Sequence, residues 1–159
     1  MNTFLYTTEQ FLSAGIANTW DFFSFAGNLS LITPPGMGFQ ILTPVEGVDI
    51  YEGMLIDYIV KPLFGIPLKW QTEIFKVDKP YMFTDRQLKG PYRLWEHTHL
   101  FIEKENGVLM KDEIKYQLRF GFIGRLAHTL LVRKKIESIF NYRKEVLNKF
   151  FNNHGNNNY

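Results

Sequence analysis

From Phe39 to Leu118 the chain is a succession of runs with period-two alternation. From Phe122 to Phe151 it is one run with helical periodicity. That order constrains the fold more than any other feature, because strands joined by short turns pair antiparallel. A single long amphipathic helix must then bury its apolar stripe against the resulting sheet. Met54, Ile56, Tyr58 and Val60 share one strand face, and Leu68, Trp70, Thr72 and Ile74 share the next. Strands are also expected over residues 39–43, 81–88, 92–103 and 108–118, with turns at Pro62–Pro67, Asp78-Lys79-Pro80 and Lys89-Gly90-Pro91. Glu105-Asn106-Gly107 is a hairpin signal, since Asn-Gly tolerates the positive φ of tight turns.

The N-terminal part is shorter. Residues 3–11 form an expected first strand, Ile16–Phe25 a helix with Ile16, Trp20 and Phe23 on one stripe, and Gly27–Ile32 a second short helix. Thr33-Pro34-Pro35-Gly36 stops that helix. Trp20 and Phe23 are expected to pack at the sheet edge. In the C-terminal run, apolar residues recur from Ile123, Leu126, Ala127 and Leu130 through Ile136, Ile139, Phe140, Val146, Leu147 and Phe150. A helix of about 30 residues spans roughly 45 Å, enough to cross a sheet. His128 reads as a packing residue beside the stripe, and Arg143 as a surface charge able to reach a cavity mouth. Residues 1–151 are expected to form one domain and 152–159, with an exposed His154, a disordered tail.

The fold class is therefore α+β. A curved antiparallel sheet of about seven strands, with two short helices after the first strand, carries a long C-terminal helix across it.

Two of the four histidines, His97 and His99, stand two apart among aromatic residues. Across the hairpin, Trp95, His97, His99 and Phe101 share a face with Met110, Asp112, Ile114 and Tyr116. That face is apolar except for the histidines and Asp112, so it should point inward. If the parity carries through Lys89-Gly90-Pro91, Phe83, Asp85 and Gln87 join it. Three readings of this cluster stand. It is a buried polar network that fixes register. It anchors the polar head of a ligand whose apolar body lies against Trp70, Trp95 and Tyr116. Or it serves catalysis or metal binding, since His-x-His puts both rings on one side of a strand. No nucleophile or metal motif accompanies the pair, so no cofactor and no metal is expected.

Composition narrows the classes. A net charge of +2 supplies no strong field for nucleic acid or an anionic membrane. There is no cysteine, which removes disulfides and thiolate chemistry. No apolar run approaches a membrane span, no signal peptide is visible, and a cytoplasmic location is the default expectation. Aromatic residues make up 16% of the chain, enough either to line a cavity or to fill it.

The element order and several motifs resemble the START-like, or SRPBCC, superfamily, which includes birch-pollen-allergen-like proteins and the polyketide cyclase/dehydrase group. The likeness to small bacterial members is carried by Ile32-Thr-Pro-Pro35, Gly53-Met-Leu-Ile-Asp-Tyr58, Ile66-Pro-Leu-Lys-Trp-Gln-Thr72, Phe83-Thr-Asp-Arg-Gln-Leu-Lys-Gly-Pro-Tyr92, Trp95-Glu-His-Thr-His-Leu-Phe101 and Lys111-Asp-Glu113. It implies a helix-grip fold around a hydrophobic cavity and no single activity. The expected function is binding of a small hydrophobic or amphipathic ligand. Its contacts would come from Tyr58, Trp70, Asp85, Gln87, Trp95, His97, His99, Phe101, Met110, Asp112 and Tyr116. The alternatives are a cyclase- or dehydratase-like enzyme using a His/Asp pair, and an interaction module partnering another enzyme.

Overall fold

A computed structural model describes residues 2–62, 64–119 and 131–152. The expected helix start at Phe122, His128 and His154 lie outside the described residues. Strands β1 (Phe4–Leu12), β2 (Gln40–Ile41), β3 (Leu55–Val60), β4 (Leu68–Asp78), β5 (Met82–Lys89), β6 (Leu94–Lys104) and β7 (Gly107–Gln117) form one antiparallel sheet. Its order is β1-β7-β6-β5-β4-β3-β2. Helix α1 (Ile16–Ser24) follows β1, two 3-10 turns (Ala26–Ser30 and Pro35–Met37) follow it, and α2 (Arg133–Leu147) with a π-helical turn, Asn148–Asn152, comes last among the described residues. The expected second helix is thus a 3-10 turn, and the strand expected over 39–43 pairs only at Gln40–Ile41.

Period two holds along the strands because only one face is covered. In β4, Trp70, Thr72 and Ile74 are buried while Lys69 is exposed, and past the irregularity after Ile74 the parity changes, so that Lys76 is exposed. Register shifts between Gln71 and Thr72 and between Ile74 and Lys76 bend β4 against β5, which helps the sheet curve around its inner face. The outer face carries polar pairs such as Arg86–Glu73 at 2.8 Å and Lys115–Glu113 at 3.0 Å. These pairs are solvent-screened and contribute little to stability.

The inner face is covered by both helices. Trp20 of α1 meets Phe83 and Phe101 edge-on at 6.1 and 6.2 Å. Helix α1 therefore sits over the central strands β5 and β6, not at the sheet edge. In α2, Ile136, Phe140, Arg143 and Leu147 are buried, a 4-3-4 spacing along one stripe. Val132, Ile136 and Phe140 pack against Ile114 and Tyr116. The C-terminal end of α2 is fastened to β1: Gln10 Nε2 donates to the Lys144 carbonyl at 2.9 Å, and the Ser13 amide donates to Asn152 Oδ1 at 2.9 Å. Asn152, placed in the tail by the sequence reading, is thus held. No helix among the described residues is long and apolar enough to cross a membrane.

The β6–β7 hairpin corrects one sequence inference. Lys104 pairs with Gly107, so Glu105 and Asn106 form the loop and both keep negative φ. Gly107 is needed for a different reason: a Cβ there would lie 2.2 Å from the Leu12 carbonyl oxygen, where β1 ends against β7.

Candidate functional site

The inner-face parity read across three strands is the observed register. Asp85 of β5 pairs with His97 of β6, and Phe83 with His99. His99 pairs with Asp112 of β7, Trp95 with Tyr116, and Phe101 with Met110. Successive inward residues on adjacent strands stand close enough for their side chains to meet, and here they do.

Asp112 Oδ1 lies 2.8 Å from His97 Nε2, 3.1 Å from His99 Nδ1 and 3.5 Å from Arg143 Nη1. Asp85 Oδ2 lies on the other side of the rings, 3.2 Å from His99 Nε2 and 3.8 Å from His97 Nδ1. Arg143 Nη2 reaches His99 Nδ1 at 3.3 Å. In neutral forms His97 donates from Nε2 to Asp112, while His99 donates from Nε2 to Asp85 and accepts at Nδ1 from Arg143, which also stands against the Asp112 oxygen that Nδ1 faces. The His97 Nδ1 lone pair is then left facing Asp85. The imidazoles stack at 3.8 Å between centroids, and His99 lies flat on Phe83 at 4.1 Å.

Burial and the neighbouring His99 depress the basicity of His97, against the pull of Asp112 and Asp85. Burial alone would raise the Asp112 carboxyl. The Arg143 guanidinium, the hydrogen bond from His97 and the close approach of His99 outweigh it and hold Asp112 well below the usual carboxylate range. Burial also lowers Arg143, opposed by Asp112 and Asp85. Its guanidinium sits 5.2 Å from the Phe23 ring and 5.5 Å from Phe140, where cation–π attraction replaces part of its hydration.

One side of this cluster borders a cavity of about 220 Å³ between the sheet, the turns after α1, and α2. Of the residues singled out in the sequence, Tyr58, Trp70, Asp85, Trp95, His97 and His99 line it. Trp70 stacks on Tyr58 at 5.9 Å and meets Trp95 edge-on at 5.5 Å, forming an aromatic wall. Asp112 stands behind the histidines, away from the cavity. Phe101, Met110 and Tyr116 face inward but are covered: Phe101 by α1, Met110 within the same core, and Tyr116 by α2. Gln87 is placed elsewhere as well. Its Nε2 donates to the Tyr92 carbonyl at 2.8 Å and its Oε1 accepts from the Tyr92 amide, so it clamps the β5–β6 connection. Gly90 leaves room for that clamp, since a Cβ there would fall 2.3 Å from Gln87 Oε1.

Phe23, Phe140 and Arg143 also line the cavity, where the sequence reading assigned Phe23 and Phe140 to helix packing and Arg143 to the surface with reach to a cavity mouth. Arg143 is buried, not a surface charge. The signal was its position, three residues after Phe140 and four before Leu147, on the apolar stripe. Among the described residues, two buried donors on cavity-lining residues have no hydrogen-bond partner, Trp70 Nε1 and Arg143 Nε.

No protein-family model matches the sequence, and no curated protein matches it. Solved structures do. A Chromobacterium violaceum protein aligns with a TM-score of 0.70 at 9% identity, covering 92% of this chain and 96% of its own. Ginseng major latex-like protein from Panax ginseng aligns with a TM-score of 0.66 at 13% identity, over 94% of this chain and 97% of that one. Norcoclaurine synthase from Thalictrum flavum, in complex with dopamine and hydroxybenzaldehyde, gives a TM-score of 0.63 at 13% identity over 93% and 88%. The fold is the helix-grip fold of the SRPBCC, or Bet v 1-like, proteins.

Proposed function

We propose that this protein binds a small, mainly apolar molecule carrying a hydrogen-bonding oxygen, held in the cavity between sheet and α2. The observation that carries the reading is the cavity's two-sided chemistry. An aromatic wall of Tyr58, Trp70 and Trp95 faces a polar end formed by Asp85, His97, His99 and Arg143. That combination of apolar lining and few convergent polar groups is the usual make-up of a small-molecule site. A cavity of about 220 Å³ accommodates one substituted ring better than a long lipid chain.

The polar end sets the ligand's polarity. A buried polar group without a partner costs about 1–3 kcal/mol, so a polar atom on the ligand belongs at that end. The imidazoles of His97 and His99 and the Arg143 guanidinium there suit a carbonyl, phenolic or carboxylate oxygen. The norcoclaurine synthase neighbour, whose ligands are dopamine and hydroxybenzaldehyde, makes substituted aromatic compounds the first class to test.

Native mass spectrometry of the purified protein, alone and with a panel of ring-bearing carbonyl and phenolic compounds, tests the reading. One adduct per chain, removed by mild collisional activation, is expected. A chain that stays bare and takes up none of the panel contradicts it.

A further inference from the structure

We propose that Asp85, His97 and His99 form a binding site for one divalent first-row metal ion of the zinc class, set in the polar end of the cavity. The inference rests on the same site as the ligand-binding reading but requires no particular organic ligand.

The three donor atoms are His97 Nδ1, His99 Nε2 and Asp85 Oδ2, all within 4.8 Å of one another. The Nε2–Oδ2 separation is 3.2 Å and the Nδ1–Oδ2 separation 3.8 Å. A tetrahedral ion with bonds of about 2.0–2.1 Å places its ligand atoms roughly 3.4 Å apart, so the two separations to Asp85 Oδ2 need adjustments of only tenths of an ångström, and the two ring nitrogens, within 4.8 Å of each other, close the third edge by a small rotation of the imidazoles. Two imidazole nitrogens with one carboxylate oxygen suit zinc, iron, cobalt or nickel better than magnesium or calcium.

The groups behind the trio strengthen the assignment. Metal-bound imidazoles are oriented by an acceptor on their other nitrogen. Asp112 Oδ1 occupies that position for both rings, 2.8 Å from His97 Nε2 and 3.1 Å from His99 Nδ1. His97 already presents Nδ1 unprotonated when it donates to Asp112. His99 meets the requirement by moving its proton from Nε2 to Nδ1, whereupon it donates to Asp112 and Arg143 keeps its contact with that carboxylate. With both histidines neutral, two carboxylates against one guanidinium leave the cluster one formal negative charge, which a bound cation takes up. All three donor residues border the cavity and Asp112 does not, so the ion's remaining positions face the space where a ligand oxygen would lie.

The test uses the full chain stripped with EDTA and then dialysed free of it. Co²⁺ is titrated with visible d–d absorption as readout, and Zn²⁺ and Mg²⁺ by calorimetry. One equivalent of Co²⁺ with the intense bands of a tetrahedral N/O site is expected, with displacement by Zn²⁺ and none by Mg²⁺. Asp85→Asn should weaken Co²⁺ at least tenfold, and Glu73→Gln on the outer face should leave it unchanged, circular dichroism showing each variant folded. Where Asp85→Asn fails to fold, His99→Gln takes its place. Absence of stoichiometric Co²⁺ uptake by folded wild-type chain overturns the proposal, as does uptake that is indifferent to these variants. Panel binding is measured both in EDTA and with one equivalent of Zn²⁺: binding without metal uptake sinks the metal site alone, and metal uptake with no panel binding in either condition sinks the ligand reading alone.

Discussion

His97 Nε2 and Asp112 Oδ1 stand 2.8 Å apart on adjacent strands, both buried, beneath the buried guanidinium of Arg143. This pair fixes the ring of His97 and directs its other nitrogen toward Asp85 and the cavity. Removing one member of a buried charged set leaves the others uncompensated, which typically costs about 3–5 kcal/mol. Asp112→Ala is therefore expected to lose about 3–5 kcal/mol in urea denaturation, and a loss under about 1 kcal/mol would show the network to be dispensable.

Arg143 is coupled to Asp112, not independent of it. Arg143→Met alone should destabilise by a similar amount, and the double variant Arg143→Met/Asp112→Asn by less than the sum. A coupling of at least about 1 kcal/mol is expected from a double-mutant cycle, and strict additivity would place the two outside one network.

Stability should fall with acid in two stages. The groups facing His97 are His99, Asp85, Asp112 and Arg143, and its folded-state basicity is depressed. Below about pH 6.5 the unfolded chain takes up a proton that folded His97 refuses, so stability declines as pH drops through that range. Asp112 is depressed as a carboxylic acid, so its contribution is complete above about pH 4 and is lost as pH falls further. Urea midpoints of EDTA-treated protein from pH 8 to pH 3 should be flat at first, then decline, then decline more steeply. A midpoint that rises between pH 7 and pH 5 would reverse the sign assigned to His97.

The close approach at the hairpin has a cost that glycine avoids. Gly107→Ala places a methyl 2.2 Å from the Leu12 carbonyl oxygen, backbone that cannot swing aside. A destabilisation of about 1–3 kcal/mol is expected in thermal or urea melts, with Asn106→Ala nearly neutral because the loop keeps negative φ. The opposite ranking would restore the Asn-Gly turn as the reason for the glycine.

The inner face was legible because strand period is two: once His97 and Asp112 were set across a hairpin, parity assigned their neighbours. Depth was not legible. Phe101 and Tyr116 share that face with His99, yet α1 and α2 seal them while the histidines border the cavity, and helix placement depends on side chains distant in sequence. Arg143 was read as a surface charge because a charge on a helix ordinarily faces water; Asp112, Asp85, His99 and two aromatic rings make its burial tolerable. Gln87 has the right parity, but its amide matches the Tyr92 backbone and satisfies the turn.

The most direct test of the central claim is NMR observation of the indole N–H protons during titration with hydroxybenzaldehyde in EDTA. Trp70 lines the cavity with its Nε1 unpartnered, whereas Trp20 is packed against Phe83 and Phe101 outside it. Trp70→Phe assigns the Trp70 resonance, and Val60→Phe places a ring into the cavity wall. A saturable shift at Trp70, absent at Trp20 and lost in Val60→Phe, is predicted. No saturable shift at Trp70, or equal shifts at Trp70 and Trp20, would contradict a ligand site between the sheet and α2.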